Sequence, residues 1–326
     1  MNKKVSVVVA TYNGERFIEE QLDSILHQTY PPFEVIVKDD GSTDHTVSIV
    51  KDYAHKWPNV RLVQNEQNLG ITKNFISGFF LAQGDYIAYS DQDDIWHPQK
   101  LELLLEAIGD GNMTYSNSAI CDSEGKVIAP LIQKQQLVSE VTSILDLTVW
   151  GHQLLFKRDL LQINDPYYFT QYIWLDAYLP MVAFQGKNTN VSYVPTPLVY
   201  WRRHDTTSSI AAPPRLRKHV FSMLGYRLKD LIEILKAIFS VFDSAKKENV
   251  KHFYQRIGEI KGMSEDTYEV ASLLARCGFF DVCKAGQICV KNYLKDHPVV
   301  SLELRMRLFL KPFFSIRNQS KGMLDS

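Results

Sequence analysis

Short runs of continuous apolar residues alternate with segments of helical apolar spacing over the first hundred residues of the chain. The first run, residues 5–10, is rich in β-branched side chains, which is typical of a parallel strand buried on both faces. Further short runs cover residues 33–37, 60–63 and 85–89. Helical spacing covers residues 17–26, 47–53 and 71–82. Strands that alternate with helices of this length predict a doubly wound α/β sheet with mostly parallel strands.

The pattern changes after a leucine-rich helix that we predict over residues 101–108. Shorter strands are predicted over residues 113–116, 126–128, 191–194 and 198–201. Residues 208–214 contain two adjacent prolines and indicate a linker, and the apolar spacing beyond them is helical throughout. We therefore expect one domain over residues 1–210 and a helical region over residues 211–326.

Polar residues follow three of the predicted strands at the point where each strand ends. They are Thr11, Tyr12 and Asn13, then Asp39 and Asp40, then Asp91, Gln92, Asp93 and Asp94. Each group alone is compatible with an ordinary capped turn, because Asp and Ser are common turn residues. In a parallel sheet, however, all three strand ends lie on one edge, where open α/β sheets bind ligands. The sequence therefore predicts one polar site at this edge.

The acidic turn formed by residues 91–94 has the composition of a cation site. Carboxylates that lie close together repel one another, and each costs free energy to dehydrate. A hard divalent cation removes the repulsion and keeps coordination positions open for phosphate oxygens. The alternative is an acidic surface turn, which the apolar Ile95 and Trp96 directly after it disfavour.

Composition excludes several classes of protein. The 36 lysines and arginines balance 37 aspartates and glutamates, which argues against a general nucleic-acid binder. The four cysteines form no CxxC pair, so we expect buried free thiols in a reducing cytosol. The first apolar run is predicted to be a strand and not a signal peptide, and no run is long enough for a membrane-spanning helix. The glycine-rich dinucleotide fingerprint, the Walker pattern and the EF-hand spacing are absent, which disfavours hydride transfer, ATP hydrolysis and an EF-hand.

Four segments together resemble the family 2 glycosyltransferases, which are inverting enzymes with the GT-A fold. They are residues 5–14, 39–44, 68–70 and 90–96. The resemblance runs in order over residues 4–205, and the joint pattern is far more specific than any one segment. It implies a metal-dependent hexosyltransferase that uses Mn²⁺ or Mg²⁺ and binds a nucleotide-diphosphate sugar, with residues 1–210 as the catalytic domain.

The resemblance assigns roles at the donor end of the site. Thr11 and Tyr12 match positions beside the nucleotide base, and Asp40 matches the carboxylate that accepts a hydrogen bond from the base. Asp39 is expected to support the strand end. Asn68, Gly70 and Lys73 fall where the loop of the family approaches the nucleotide, and Lys73 is expected to reach a phosphate or to be solvated.

The resemblance to the family also implies which residues form the metal site. Asp93 matches the direct metal ligand of the DxD motif, and Asp91 faces the ribose or a metal-bound water. Residues 200–204 resemble the basic segment after the last core strand of the family. On this basis Arg202 is expected to contact the diphosphate, and His204 to complete the metal shell or to touch the diphosphate.

An inverting transfer also needs a base on the acceptor side of the sugar. Asp176 lies where the family has its acidic base motif, although Leu175 leaves the usual acidic pair incomplete. Asp165 is the second candidate for the base, and a solvent-facing helix acid is the alternative reading of Asp176. Gly151 and His152 are expected to line the acceptor pocket.

Residues 90–96 are most similar to the bacterial rhamnosyltransferases of cell-surface polysaccharide assembly. This implies a dTDP- or UDP-sugar donor and a lipid-linked saccharide acceptor at the cytoplasmic face of the plasma membrane. Basic and aromatic residues in 301–321 predict either a peripheral membrane contact or helices packed on the core. The other functions considered are a sugar nucleotidyltransferase and a non-catalytic nucleotide-sugar-binding protein.

Overall fold

A computed structural model describes residues 3–131, 139–145, 149–171, 174–185, 190–204, 244–296 and 308–313. The chain divides into two compact units. The first comprises residues 1–136 and 149–214, and the second comprises residues 137–148 and 215–326. The predicted linker at 208–214 and the domain boundary at 210 lie outside the described residues.

Among its described residues, the first unit is built on a nine-stranded sheet. Its strands are β1 (Val5–Thr11), β2 (Glu34–Asp39), β3 (Val60–Gln64), β4 (Tyr86–Ser90), β5 (Ile95–Trp96), β6 (Met113–Cys121), β7 (Val127–Leu131), β8 (Leu154–Lys157) and β9 (Val191–Arg202). The strand order is β3-β2-β1-β4-β8-β6-β9-β5, and β7 pairs with β6. Strands β3, β2, β1 and β4 run parallel, as the alternation of strands and helices predicts.

The helices with described bounds are α1 (Ile18–Leu26), α2 (Thr46–Lys56), α3 (Ile71–Leu81), α4 (Lys100–Ile108), α5 (Glu140–Ser143), α6 (Pro166–Phe169), α7 (Leu175–Ala183), α8 (Ser244–Ile257), α9 (Glu265–Arg276) and α10 (Phe279–Asp296). Short 3₁₀ segments cover Gly151–Gln153 and Arg158–Gln162. Every residue of β1 is buried, which explains why its sequence is continuously apolar. The predicted α/β fold is therefore confirmed.

The register of the parallel strands brings their polar ends to one edge. Thr11 is paired with Asp39 across β1 and β2, and Val9 is paired with Ser90 across β1 and β4. The turns that follow these three strands consequently start at nearly the same level along the strand direction. This is the structural basis for a site that combines residues 11–13, 39–44 and 91–94.

The prediction of two separate strands at 191–194 and 198–201 was wrong. The structure has one strand, β9, whose pairing with β6 passes from Val194 directly to Pro197. Pro195 and Pro197 have no N–H to donate, so the strand bulges at this point and does not end. As a result, one continuous element leads to Arg202 and His204.

The second unit is helical where it is described. Ser264 caps the N-terminus of helix α9, because its side chain accepts a hydrogen bond from Thr267 N, and Cys277 caps the C-terminus in the left-handed conformation. The short helix α5 also belongs to the second unit, and its Glu140 accepts a hydrogen bond from Ser264 N. Residues 308–313 are helical, and the rest of the predicted basic segment 301–321 lies outside the described residues. Among the described residues, no helix is long and apolar enough to cross a membrane.

Candidate active site at the edge of the sheet

Direct hydrogen bonds join the turns that follow β1, β2 and β4. The peptide of Tyr12 pairs with the side-chain amide of Gln92: Tyr12 N donates to Oε1 (2.9 Å) and Gln92 Nε2 donates to Tyr12 O (3.2 Å). Asn13 N donates to the Ser42 hydroxyl (2.9 Å), and Asn13 Oδ1 accepts from Thr43 N (2.8 Å). The three turns are therefore one connected surface, as their positions in the sequence predict.

Asp39 is buried beneath this surface and holds its residues in place. Its fully buried carboxylate accepts hydrogen bonds from the Thr11 hydroxyl (3.0 Å), Gly41 N (3.2 Å) and Ser42 N (3.1 Å). The predicted supporting role of Asp39 agrees with these contacts. The hydroxyl of Thr11 is bonded to Asp39, its carbonyl oxygen accepts from Asp40 N (2.9 Å), and the residue is 2% exposed.

Asp40 fixes the loop that covers the donor end of the site. Its carboxylate accepts hydrogen bonds from Asn65 Nδ2 (2.7 Å), Leu69 N (2.8 Å) and Gly70 N (2.9 Å). Gly70 has φ of +81°, a left-handed conformation that favours glycine. The carboxylate thus organises loop 65–70, which is a role that the sequence did not predict for Asp40.

The other predicted donor residues lie around this loop. Asn68 Oδ1 accepts a hydrogen bond from Gly70 N (3.1 Å), so it closes the turn at the end of the loop. Lys73 is exposed in the first turn of α3. The Tyr12 ring is 48% exposed, although it lies in a tightly bonded turn. An exposed aromatic ring in such a turn is available to stack on a ligand.

Asp93 and His204 meet on the open side of the acidic turn. His204 Nε2 lies 2.8 Å from Asp93 Oδ2, and its ring packs on Phe17 with 4.5 Å between centroids. Asp91 is nearby: burial, together with the charges of Asp93 and Asp176, raises the pKa of Asp91 to about 8. The site therefore concentrates negative charge, which is the condition under which a cation binds.

A second polar layer lies behind the turn. Asp94 is buried; its Oδ1 accepts from Arg202 N (3.2 Å), and its Oδ2 has no hydrogen-bond donor. His152 Nδ1 lies 3.9 Å from carboxylate oxygens of both Asp91 and Asp94. Burial, together with the charges of two basic side chains, lowers the pKa of His152 to about 3, so its imidazole is neutral.

Lys100 supplies positive charge to this layer. The side chain is completely buried, its Nζ donates to His152 O (2.7 Å), and it lies 3.4 Å from the centroid of the Trp96 ring. Burial lowers the pKa of Lys100, while the charges of Asp94 and Asp91 oppose the shift. Sequence reasoning missed Lys100. Its signal was a lysine on the apolar stripe of α4, four residues before the buried Leu104.

The guanidinium of Arg202, the predicted contact for the diphosphate, bonds to protein groups. Its guanidinium is buried, and it donates from Nε to Asp93 O (2.8 Å) and from its terminal nitrogens to Ser123 O and Glu20 Oε2 (each 2.5 Å). It also lies over the Phe17 ring. These contacts support a role in holding the acidic turn in place, and they do not support the predicted contact with a diphosphate.

The two candidate bases have different environments. Asp165 is the N-cap of α6 and accepts a hydrogen bond from Tyr167 N (2.9 Å). Asp176, in the first turn of α7, accepts a hydrogen bond from the Tyr89 hydroxyl (3.0 Å), and burial raises its pKa. Tyr89 lies two residues before Asp91, so its contact with Asp176 brings that carboxylate to the acidic turn, where the charge of Asp176 helps to raise the pKa of Asp91.

Comparison with known proteins is consistent with this site. Residues 6–163, just under half of the chain, match the sequence profile described as Glycosyl transferase family 2. An uncharacterized glycosyltransferase of Nostoc sp. is 27% identical over 64% of this chain and 67% of its own length. The dTDP-rhamnosyl transferase RfbG of Shigella flexneri is 37% identical, over 34% of this chain and 41% of its own length. This chain therefore aligns with less than half of RfbG.

The fold also has a counterpart among solved structures. The crystal structure of S. aureus TarS 1-349 in complex with UDP superposes with a TM-score of 0.56, covering 97% of this chain and 90% of that chain at 19% identity. This likeness shows the fold, which is GT-A-like. The sequence prediction of a GT-A fold with a helical C-terminal region is confirmed.

Proposed function

We propose that this chain, whose residues 6–163 form a Glycosyl transferase family 2 domain, is an inverting hexosyltransferase. It moves a sugar from a nucleotide-diphosphate donor to a saccharide acceptor in polysaccharide synthesis. The observation that carries the proposal is the pairing of Asp93 with His204 on the same sheet edge as Tyr12 and Asp40, with Asp176 beside the acidic turn.

The donor end of the site is formed by the turns after β1 and β2. Tyr12 presents an exposed ring on which a nucleotide base stacks, and Asp40 holds loop 65–70 against the same region. Lys73 at the start of α3 is free to approach a phosphate from the exposed side. Binding by a preformed surface limits the entropy lost on association.

The residues on the open side of the acidic turn fit a divalent cation. Asp93, His204 and Asp91 would hold it, since carboxylate and imidazole groups face one another there, and burial together with the charges of Asp93 and Asp176 raises the pKa of Asp91 to about 8. Mn²⁺ and Mg²⁺ both accept carboxylate oxygens. When bound, such a cation stabilises the negative charge that develops on the leaving diphosphate.

Asp176 acts on the acceptor side. The acceptor hydroxyl forms a bond to the anomeric carbon while the bond from that carbon to the diphosphate breaks, and the hydroxyl proton passes to the Asp176 carboxylate. The raised pKa of Asp176 makes it a stronger base than an ordinary aspartate. A positioned general base typically contributes about 10²–10⁴-fold to the rate.

The finer assignment is a rhamnosyltransferase that uses a dTDP- or UDP-sugar and a lipid-linked saccharide acceptor. The similarity to a protein named dTDP-rhamnosyl transferase supports dTDP-rhamnose as a donor to test. The basic residues of segment 301–321 support peripheral contact with the inner face of the plasma membrane.

The test is a thermal-shift panel on the full chain with dTDP-rhamnose, UDP-glucose and UDP-GlcNAc, with Mn²⁺, Mg²⁺ or EDTA. A donor that binds the native state raises the melting temperature by mass action. We expect one donor to raise it with metal and not with EDTA, and to release nucleoside diphosphate when an acceptor is added. A shift without release would favour the non-catalytic alternative, and pyrophosphate release from a nucleoside triphosphate with a sugar 1-phosphate would favour a nucleotidyltransferase.

A further inference from the structure

The hydroxyl of Tyr89 is held in place independently of the carboxylate that it contacts. Tyr89 lies on β4 and is 6% exposed. Its ring packs on Phe75 and Phe79 with centroid distances of 4.2 and 5.5 Å. From this fixed position the hydroxyl donates to Oδ1 of Asp176 (3.0 Å). The tyrosine therefore determines where the carboxylate lies.

Gly151 permits this close arrangement. A Cβ atom at position 151 would lie 2.2 Å from Cζ of Tyr89 and 2.6 Å from its hydroxyl oxygen, so a larger residue would displace the ring. The backbone N–H of Gly151 also faces the Asp176 carboxylate and favours its ionised form. Two elements, β4 and the 3₁₀ turn that begins at Gly151, thus restrain the rotation of one carboxylate.

The same strand also carries the acidic turn. Tyr89 precedes Asp91 by two residues, and β4 is an interior strand bonded to both β1 and β8. The separation between Asp176 and the donor end of the site is therefore set by a short, rigid stretch of backbone. In-line displacement requires the base and the leaving group on opposite sides of the sugar, and small errors in such positions reduce rates strongly.

We propose that Tyr89 is a positioning residue for the acceptor base: with Gly151, it orients the Asp176 carboxylate toward the acceptor hydroxyl and ties it to the strand that carries the acidic turn. This inference rests on the proposed function. Tyr89 touches neither substrate, and it acts through Asp176. Its hydrogen bond favours the ionised carboxylate, which is the form that takes the proton.

Tyr53 provides a matched control. It is also a buried tyrosine, 9% exposed, and its hydroxyl donates to the carboxylate of Asp23 (2.7 Å) between α1 and α2. Replacement of either tyrosine by phenylalanine keeps the buried ring and removes the hydrogen bond from its hydroxyl to an aspartate. Asp23 itself is exposed, and the Tyr53 hydroxyl also lies 3.2 Å from Glu19 O. A loss of activity that comes only from weakened structure would therefore appear in both variants.

The experiment compares the full chain, Tyr89→Phe, Tyr53→Phe and Gly151→Ala. Nucleotide release from UDP-GlcNAc, UDP-glucose and dTDP-rhamnose with Mn²⁺ is measured across pH, with water as acceptor, and UDP binding is measured by calorimetry. For Tyr89→Phe we expect a fall in kcat of about 10- to 100-fold, the scale of a hydrogen bond to a charged group. The KM for the donor and the affinity for UDP should stay within about twofold.

Two further readouts separate positioning from stability. The rising limb of the pH profile should move to higher pH in Tyr89→Phe, because loss of the donated hydrogen bond raises the pKa of Asp176, which also faces the charge of Asp91. Gly151→Ala should lower kcat at least as much, and Tyr53→Phe should leave it unchanged. If Tyr89→Phe matches Tyr53→Phe in kcat and pH profile while the wild type is active, the positioning role of Tyr89 is refuted and the proposed function stands. If the wild type releases nucleotide from none of the donors, the proposed function falls as well.

Discussion

Nε2 of His204 lies 2.8 Å from Oδ2 of Asp93, although 111 residues separate them in the chain. His204 follows β9, and Asp93 follows β4, so the contact joins the two halves of the sheet. Only a folded chain brings this pair together. The pair lies on the open side of the acidic turn.

Asp93→Ala should abolish sugar transfer, with a loss of about 100-fold or more, because stabilisation of the leaving diphosphate by a bound cation is worth several kcal/mol. EDTA should have the same effect on the wild type. Nucleotide release is the measurement, and the exposed Asp52→Asn is the control. Full activity of wild type in EDTA would contradict the metal-dependent mechanism.

Asp176→Asn should retain UDP binding and lose transfer by about 10²–10⁴-fold, since the amide cannot accept the proton. Wild-type activity should fall as the pH is lowered through the pKa of Asp176. Burial raises that pKa, so the midpoint of this fall in activity should lie above pH 3.9, which is about the pKa of an unperturbed aspartate. Asp165→Asn is the control: asparagine caps a helix about as well as aspartate, so this variant should stay folded and active. The reverse result would assign the base to Asp165.

Asp40→Asn should loosen loop 65–70. An amide nitrogen would face one of the N–H donors that the carboxylate now accepts, from Leu69 or Gly70. A buried N–H that loses its acceptor lowers the free energy of unfolding by about 1–3 kcal/mol, and urea unfolding would measure this loss. UDP affinity should fall in parallel, and Asp52→Asn should change neither quantity. Unchanged stability would show that the loop does not depend on this carboxylate.

Lys100→Met should destabilise the protein by roughly 3–5 kcal/mol, because removal of one member of a buried charge pair leaves the other uncompensated. Here the uncompensated groups are Asp94 and Asp91, whose charges oppose the fall in the Lys100 pKa. The exposed Lys51→Met is the control in urea unfolding. The double variant Lys100→Met with Asp94→Asn should regain part of the lost free energy of unfolding. If the stability losses of the two single variants simply add, Lys100 and Asp94 do not interact.

Deletion of residues 300–326 should reduce sedimentation of the chain with anionic lipid vesicles. The segment carries five basic residues against one acidic residue between positions 301 and 321, namely Arg305, Arg307, Lys311, Arg317 and Lys321 against Glu303. Binding should weaken with salt and should be absent with neutral vesicles. Equal sedimentation before and after the deletion would favour helices packed on the core.

The sequence alone determined the parallel half of the sheet and the edge at which the site lies. The strand ends at Thr11, Asp39 and Ser90 are local features, because apolar runs and the polar residues that follow them can be read without knowledge of distant contacts. Since parallel strands end on one side, the convergence of Tyr12, Asp40 and the acidic turn followed directly.

The tertiary structure alone decided what each polar side chain does within that site. Nothing in the residue types shows that Arg202 holds the acidic turn, that Asp40 anchors a loop, or that Lys100 is buried beside Asp94. A charged side chain takes its role from the partners that replace water around it. Those partners come from parts of the chain that are brought together only by packing, as Tyr89 and Asp176 are.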